Sequence, residues 1–154
     1  MVFGGGLWGK GGQMFFGEYE YKVDDKGRLP LPPKFRENFK EGVILTRGAE
    51  ACIVAYPLAE WKRLADSLAA RAVTPSKMRK LNRIIFGAAF SLDLDGQGRM
   101  ALPQPLRQYA GIDDAAIIIG ANNCIELWSQ QQWASEKASA EEQLWQIMES
   151  LEGQ

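Results

Sequence analysis

Tyr19, Tyr21 and Val23 alternate with Glu18, Glu20 and Lys22, the two-residue period of a strand with one face buried. Residues 24–27 follow as a turn, in which Asp24 can bond the backbone ahead of it and Gly27 accepts a positive φ. A shorter strand over 28–31 is stopped by Pro32 and Pro33, whose fixed φ also starts a short helix over 34–39. Unbroken apolar runs predict buried strands over 43–46 and 52–56, joined by a turn. Beyond Pro57, the residues Leu58, Trp61, Leu64, Ala65 and Leu68 recur at helical spacing. Thr74 and Pro75 open a further helix, with Thr74 as its N-cap. That helix carries Met78, Leu81, Ile84 and Ile85 among Lys77, Arg79, Lys80 and Arg83.

The plan then recurs. Phe90, Leu92 and Leu94 alternate with Ser91 and Asp93, residues 95–98 turn, and 99–102 form a strand. A short helix over 104–109 ends near Gly111, strands follow over 115–119 and 124–128, and a final helix covers 130–151. Its Trp133, Leu144, Trp145, Ile147, Met148 and Leu151 are too apolar to be left in water, so it is expected to pack on this or another subunit.

The recurrence reaches individual residues. A shift of 71 superimposes Asp24 on Asp95, Gly27 on Gly98, Arg28 on Arg99, Leu31 on Leu102 and Arg36 on Arg107. A shift of 72 superimposes Cys52 on Cys124 and Trp61 on Trp133, so one insertion separates the two registers. Two copies of a long unit mean an internal duplication and not a solenoid. One unit of about 40 residues with four short strands closes no core alone. The fold class expected is therefore a β-rich α+β domain made of two intertwined halves, with short and long helices on its outside. The expected boundaries are a glycine-rich arm over 1–13, a first half over 14–71, a connecting helix over 72–87 and a second half over 88–152. The arm is read as disordered, or as an upstream start to a chain that naturally begins at Met14; it lacks the features of a signal peptide.

Composition narrows the function. The 154 residues contain no histidine, which removes the Ser-His-Asp and Cys-His schemes and the commonest general base near neutral pH. With two cysteines and no histidine, a tetrahedral zinc site is not expected, and no cofactor motif is present. Cys52 and Cys124 fit burial as small apolar residues in a cytoplasmic protein, although a disulfide between them is open. No apolar stretch is long enough to span a membrane. The chain is expected not to be an enzyme.

Net charge is −1, but it is unevenly spread. Residues 1–83 hold 15 Lys/Arg and 9 Asp/Glu, net +6; residues 84–154 hold 3 and 10, net −7. One half is suited to face a polyanion, or the halves attract each other across subunits.

The repeated Asp-x-x-x-Arg pair admits two roles. It staples the turn as an ion pair, an interaction that contributes about 0–1 kcal/mol at a surface. Alternatively, Asp24 and Asp95 orient Arg28 and Arg99 for bidentate recognition of a guanine edge or a phosphate, with Gly27 and Gly98 shaping the turns. Lys26, Lys34 and Arg36 add phosphate-positioning charge in the first copy; the second keeps Arg107 but has Gln97 and Pro105 in place of the two lysines.

The strand leading into Asp-x-x-Gly-Arg, then Leu-Pro and a short helix, written twice over residues 14–142, resembles the MraZ family. The resemblance implies two swapped-hairpin halves of the SpoVT-AbrB type forming a β-barrel. It also implies a bacterial transcriptional regulator that is nucleoid-associated, assembles as a ring-shaped homo-oligomer and binds double-stranded operator repeats ahead of the division and cell-wall gene cluster. Asp24, Arg28, Asp95 and Arg99 occupy the matching motif positions. The rival expectation is an oligomeric protein-binding scaffold with no specific DNA affinity.

Overall fold

The computed structural model describes residues 14–153; the glycine-rich arm over 1–13 lies outside them. Eight strands and four α-helices follow the duplicated plan. The first copy runs β1 (Glu18–Lys22), β2 (Arg28–Pro30), a 3-10 helix (Pro33–Phe39), β3 (Val43–Arg47), β4 (Ile53–Pro57) and α1 (Leu58–Ala69). The connector is α2 (Pro75–Leu81), continued by a widened π turn (Asn82–Phe86). The second copy runs β5 (Phe90–Leu92), β6 (Arg99–Ala101), α3 (Gln104–Ala110), β7 (Ala115–Gly120), β8 (Ile125–Trp128) and α4 (Gln130–Glu152).

The halves are intertwined by strand exchange. One antiparallel sheet has the order β1-β7-β8-β4-β3-β5, and β2 pairs with β6 in a separate ribbon. Each copy thus lends its first strand to the other: β1 lies along β7 with Tyr19 opposite Ile118, and β5 lies along β3 with Phe90 opposite Leu45. The expected barrel is not closed, because β1 and β5 remain the edges of an open sheet. The β2/β6 ribbon is short: Pro30, Pro32 and Pro103 carry no N–H, and its last backbone bonds run from Leu31 N to Gly98 O and from Leu102 N to Gly27 O. Glu18, Glu20 and Lys22 place charge on the β1 edge, which discourages further strand addition.

Alternation along the strands sorts the apolar residues onto two faces. Ile53 and Ala55 of β4 join the main core with Phe15, Leu29, Leu31, Phe35, Met100 and Ile118. Cys52, Val54 and Cys124 join a smaller cluster around Trp128 on the other face, covered by Tyr56 and Trp133. Both cysteines are buried and free, so the disulfide left open by the sequence is not formed. Burial pushes each thiol up to about 12, which keeps it neutral and unreactive. Phe15 stacks edge-on to Phe35, with centroids 5.1 Å apart, and closes the main core near the start of the described chain.

The helices obey their local signals. Thr74 caps α2 by accepting a hydrogen bond from Lys77 N at 3.3 Å, and Ser129 caps α4 by accepting from Gln132 N at 3.1 Å. Gly111 ends α3 in the left-handed conformation at φ 68°. The π turn replaces the plain helix expected through Ile85. There the Thr46 hydroxyl donates to Ile85 O at 2.7 Å, while Gly87 N reaches back five residues to Asn82 O. Trp133 of α4 packs on Trp128, but Leu144, Trp145, Ile147, Met148 and Leu151 are exposed, so no described residue buries the far half of α4.

Candidate nucleic-acid interface

The two copies of the Asp/Arg turn fold almost identically. In the first, Asp24 Oδ1 accepts from Lys26 N at 3.0 Å and Arg28 N at 2.9 Å, while Oδ2 accepts from Arg28 Nε at 2.7 Å. In the second, Asp95 Oδ1 accepts from Gln97 N and Arg99 N, both at 2.9 Å, and Oδ2 accepts from Arg99 Nε at 2.8 Å. Gly27 and Gly98 sit at φ 76° and 75°, a conformation that glycine enters without a Cβ penalty. Each carboxyl is held below the ordinary aspartate range, chiefly by the arginine backbone N–H it accepts.

Strand pairing brings these turns together. Arg28 stands opposite Ala101, Leu29 opposite Met100 and Pro30 opposite Arg99. Leu29 and Met100 are fully buried beneath the ribbon, so the alternation of a strand carries Arg28 and Arg99 to its other face. Their side chains remain 30% and 23% exposed. Arg99 Nη1 also lies 3.8 Å from Asp24 Oδ2, an ion pair between the copies. With Nε held by a carboxylate, the guanidinium plane is oriented while the remaining donors of the fork stay available to a planar acceptor.

The other expected residues take several places. Lys26 is exposed within the first turn, and Gln97 takes the matching place in the second. Lys34, on the 3-10 helix, lies over the rings of Tyr19 and Phe16, with Nζ 5.1 and 5.3 Å from their centroids. Arg36 donates from Nε to Leu31 O at 3.0 Å and lies where a Cβ on Gly98 would fall. Arg107 donates from Nη2 to Asp113 O at 2.8 Å and lies over Gly27 in the same way. Arg36 and Arg107 therefore grip the turn of the opposite copy. Nothing in their spacing announces that contact. Sequence reasoning also missed Arg47, which stacks 4.5 Å above the Tyr109 ring while Tyr109 Oη donates to Gly48 O; no local pattern signals either.

Among the described residues no group of three or more His, Cys, Asp or Glu could hold a metal ion, and no helix is long and apolar enough to cross a membrane. What the fold and site define is a duplicated, strand-rich α+β protein that displays two carboxylate-held arginines on a short ribbon. The family model described as "MraZ protein, putative antitoxin-like" matches the chain twice, over residues 14–84 and 85–151. A protein of Dehalococcoides mccartyi strain 195 called "Transcriptional regulator MraZ" is 56% identical over 141 residues, covering 91% of this chain and 99% of the relative. Proteins of the same name from Roseiflexus castenholzii and Deinococcus radiodurans are each 42% identical, over 78% and 83% of this chain and 84% and 90% of their own. The chain belongs to the MraZ family, a family of transcriptional regulators and not of enzymes.

Proposed function

We propose that this protein is a sequence-specific DNA-binding transcriptional regulator that acts from the cytoplasm on the nucleoid. The observation that carries the reading is the convergence of both Asp/Arg turns on one two-stranded ribbon. A ribbon of that kind has the width of the DNA major groove, and arginine is the residue suited to guanine O6 and N7. Arg28 and Arg99 read the base edges. Lys26 neutralises a flanking phosphate, and Lys34, Arg36 and Arg107 add positive potential behind the ribbon. Asp24 and Asp95 orient the arginines, while Gly27 and Gly98 let the turns close.

We read the exchange of first strands as the swapped-hairpin, AbrB-like arrangement of two fused halves. The protein works as a ring-shaped homo-oligomer on operator repeats, where several modest ribbons presented side by side gain avidity that one alone lacks. That gain accounts for a DNA binder whose net charge is only −1. The name carried by the relatives, "Transcriptional regulator MraZ", supports the same conclusion.

The test is binding to a DNA fragment from just upstream of the protein's own gene, titrated against salt, with Arg28→Ala alongside. Tight binding that falls steeply with salt and is lost in the variant is expected. Affinity no better than for random DNA would instead favour the protein-binding scaffold, the reading that the exposed apolar half of α4 supports.

A further inference from the structure

Arg47 and Arg83 stand beside an apolar recess that the DNA-binding ribbon does not use. Two hollows, of about 410 and 330 Å3, meet at Arg47 and Ile84, which line both. Val54, Tyr56, Leu64 and Ile85 give the larger one an apolar wall, and Arg83 joins Arg47 in the smaller. No Asp or Glu lines either hollow. Neither arginine has a carboxylate partner among the described residues. The neighbouring chain offers none: residues 67–92 hold five Lys/Arg and no Asp or Glu. Small-molecule sites are hollows of about 300–1,000 Å3, mostly apolar, with a few placed polar groups that fix the ligand.

The recess is built before any ligand arrives. The Arg47 guanidinium lies 4.5 Å above the Tyr109 ring. That ring is itself fixed, because Tyr109 Oη donates to Gly48 O at 2.6 Å. Stacking on an aromatic face sets the plane of a guanidinium and consumes none of its N–H donors. The opposite wall is tied as well: the Thr46 hydroxyl donates to Ile85 O at 2.7 Å and holds the π turn against β3. Widened turns of this kind recur at functional sites. A cation–π contact accounts for Arg47 over Tyr109. It accounts neither for Arg83 nor for the apolar recess beside them.

We infer that this recess binds a small phosphate monoester with an apolar body, an alkyl or aryl phosphate. Two guanidinium groups match a head that carries about −1.5 to −2 charge at neutral pH, and arginine donors meet phosphate oxygens in pairs. The body leaves water for the wall of Val54, Leu64, Ile84 and Ile85. A sugar or nucleoside body would turn its hydroxyls against those side chains without partners, which is costly. A bare phosphate would make no use of them. The recess belongs to β3, β4, α1, the π turn and α3, whereas Arg28 and Arg99 lie on β2 and β6. The inference is therefore independent of the DNA-binding reading, and its test contains no DNA.

The experiment is calorimetric titration of the full chain with octyl phosphate at low ionic strength. Inorganic phosphate, which lacks the body, and octanol, which lacks the head, are the controls. Saturable binding of one octyl phosphate per chain is expected, about tenfold tighter than either control or better. Arg47→Leu and Ile84→Glu should each weaken it about tenfold, the first by removing the fork and the second by placing a like charge in the recess. Arg47→Lys keeps the charge without the fork and should recover only part of the loss. Arg47 and Ile84 are exposed, so all three variants should keep the thermal midpoint of the wild type. Absence of saturable binding to the wild type would overturn the inference. Inorganic phosphate binding as tightly as octyl phosphate would also overturn it, since the arginines would then hold a bare anion. Affinity unchanged in Arg47→Leu and Ile84→Glu would overturn it too, by placing the ligand elsewhere.

Discussion

Arg99 Nη1 lies 3.8 Å from Asp24 Oδ2, so the carboxylate that holds its own Arg28 Nε at 2.7 Å also faces the arginine of the other copy. The duplication is thus not symmetric in its chemistry. Asp24 serves both arginines across the ribbon, whereas Asp95 holds Arg99 through the bonds of its own turn. Asp24→Asn should release two guanidinium groups and Asp95→Asn one. On the proposed DNA-binding role of these arginines, loss of the charge-assisted bond that orients each one makes the expected losses of operator affinity about tenfold and about threefold respectively. Titration of a labelled operator by anisotropy checks the order, and equal losses would mean that the cross-copy pair has no part in orientation.

The same carboxylates set an acid limit on the turns. Both are held below the ordinary aspartate value, first by the backbone N–H of Arg28 or Arg99. An acid whose folded pKa is depressed contributes stability that is full above its unfolded pKa, near 3.8, and is lost as pH falls through the lower folded value. Thermal unfolding followed downward from about pH 5 should therefore show a fall in midpoint that is reduced in the Asp24→Asn, Asp95→Asn double variant. An identical fall in both proteins would remove these turns from the account of acid sensitivity.

Much of this architecture was legible in the chain, for local reasons. The alternation of Tyr19 and Tyr21 with charged neighbours announces β1, Thr74 announces the start of α2, and the spacing from Asp24 to Asp95 announces the duplication. Periodicity tells which face of a strand is buried and not which strand lies beside it. That β1 pairs with β7, and that the sheet stays open, accordingly had to come from the structure. The site divides along the same line. The bonds from Asp24 to Arg28 lie within five residues and follow from turn chemistry, whereas Arg107 over Gly27 joins residues far apart in the chain. The exposure of Trp145 means that packing of the far half of α4 on its own subunit, one of the two outcomes its apolar pattern allowed, is not found among the described residues.

Glu126 offers a separate test of the second cluster. It is half-buried on β8, where burial raises its pKa above the ordinary glutamate value; Glu50 and Glu136 add to the rise, while the bond from Trp128 Nε1 to Oε1 at 3.0 Å opposes it. A raised folded pKa in an acid means that the fold prefers the neutral form. The carboxyl is then least costly below the unfolded pKa and becomes a burden as pH climbs through the folded value. Glu126→Gln keeps an acceptor for Trp128 and removes the charge. It should raise stability to urea at about pH 7 and leave it unchanged below about pH 4. Destabilisation at neutral pH would show that the charged form is needed there.

The two motif glycines should not be equally replaceable. Both occupy the left-handed region, where a Cβ costs about 1–2 kcal/mol. At Gly27 an added Cβ would stand 3.0 Å from Arg107 Nη1, the far end of a side chain that can give way. At Gly98 it would fall on the Nε, Cδ and Cζ of Arg36, whose Nε is committed to Leu31 O. Moving Arg36 leaves that carbonyl without its donor, which adds about 1 kcal/mol. Gly98→Ala is therefore expected to cost about 2–3 kcal/mol in urea denaturation, against about 1–2 for Gly27→Ala. Arg36→Ala alone should cost about 1 kcal/mol and add little in the Gly98→Ala background, since both changes leave Leu31 O without the same donor. If the two glycine variants lose the same stability, Arg36 does not grip the second turn as the geometry requires.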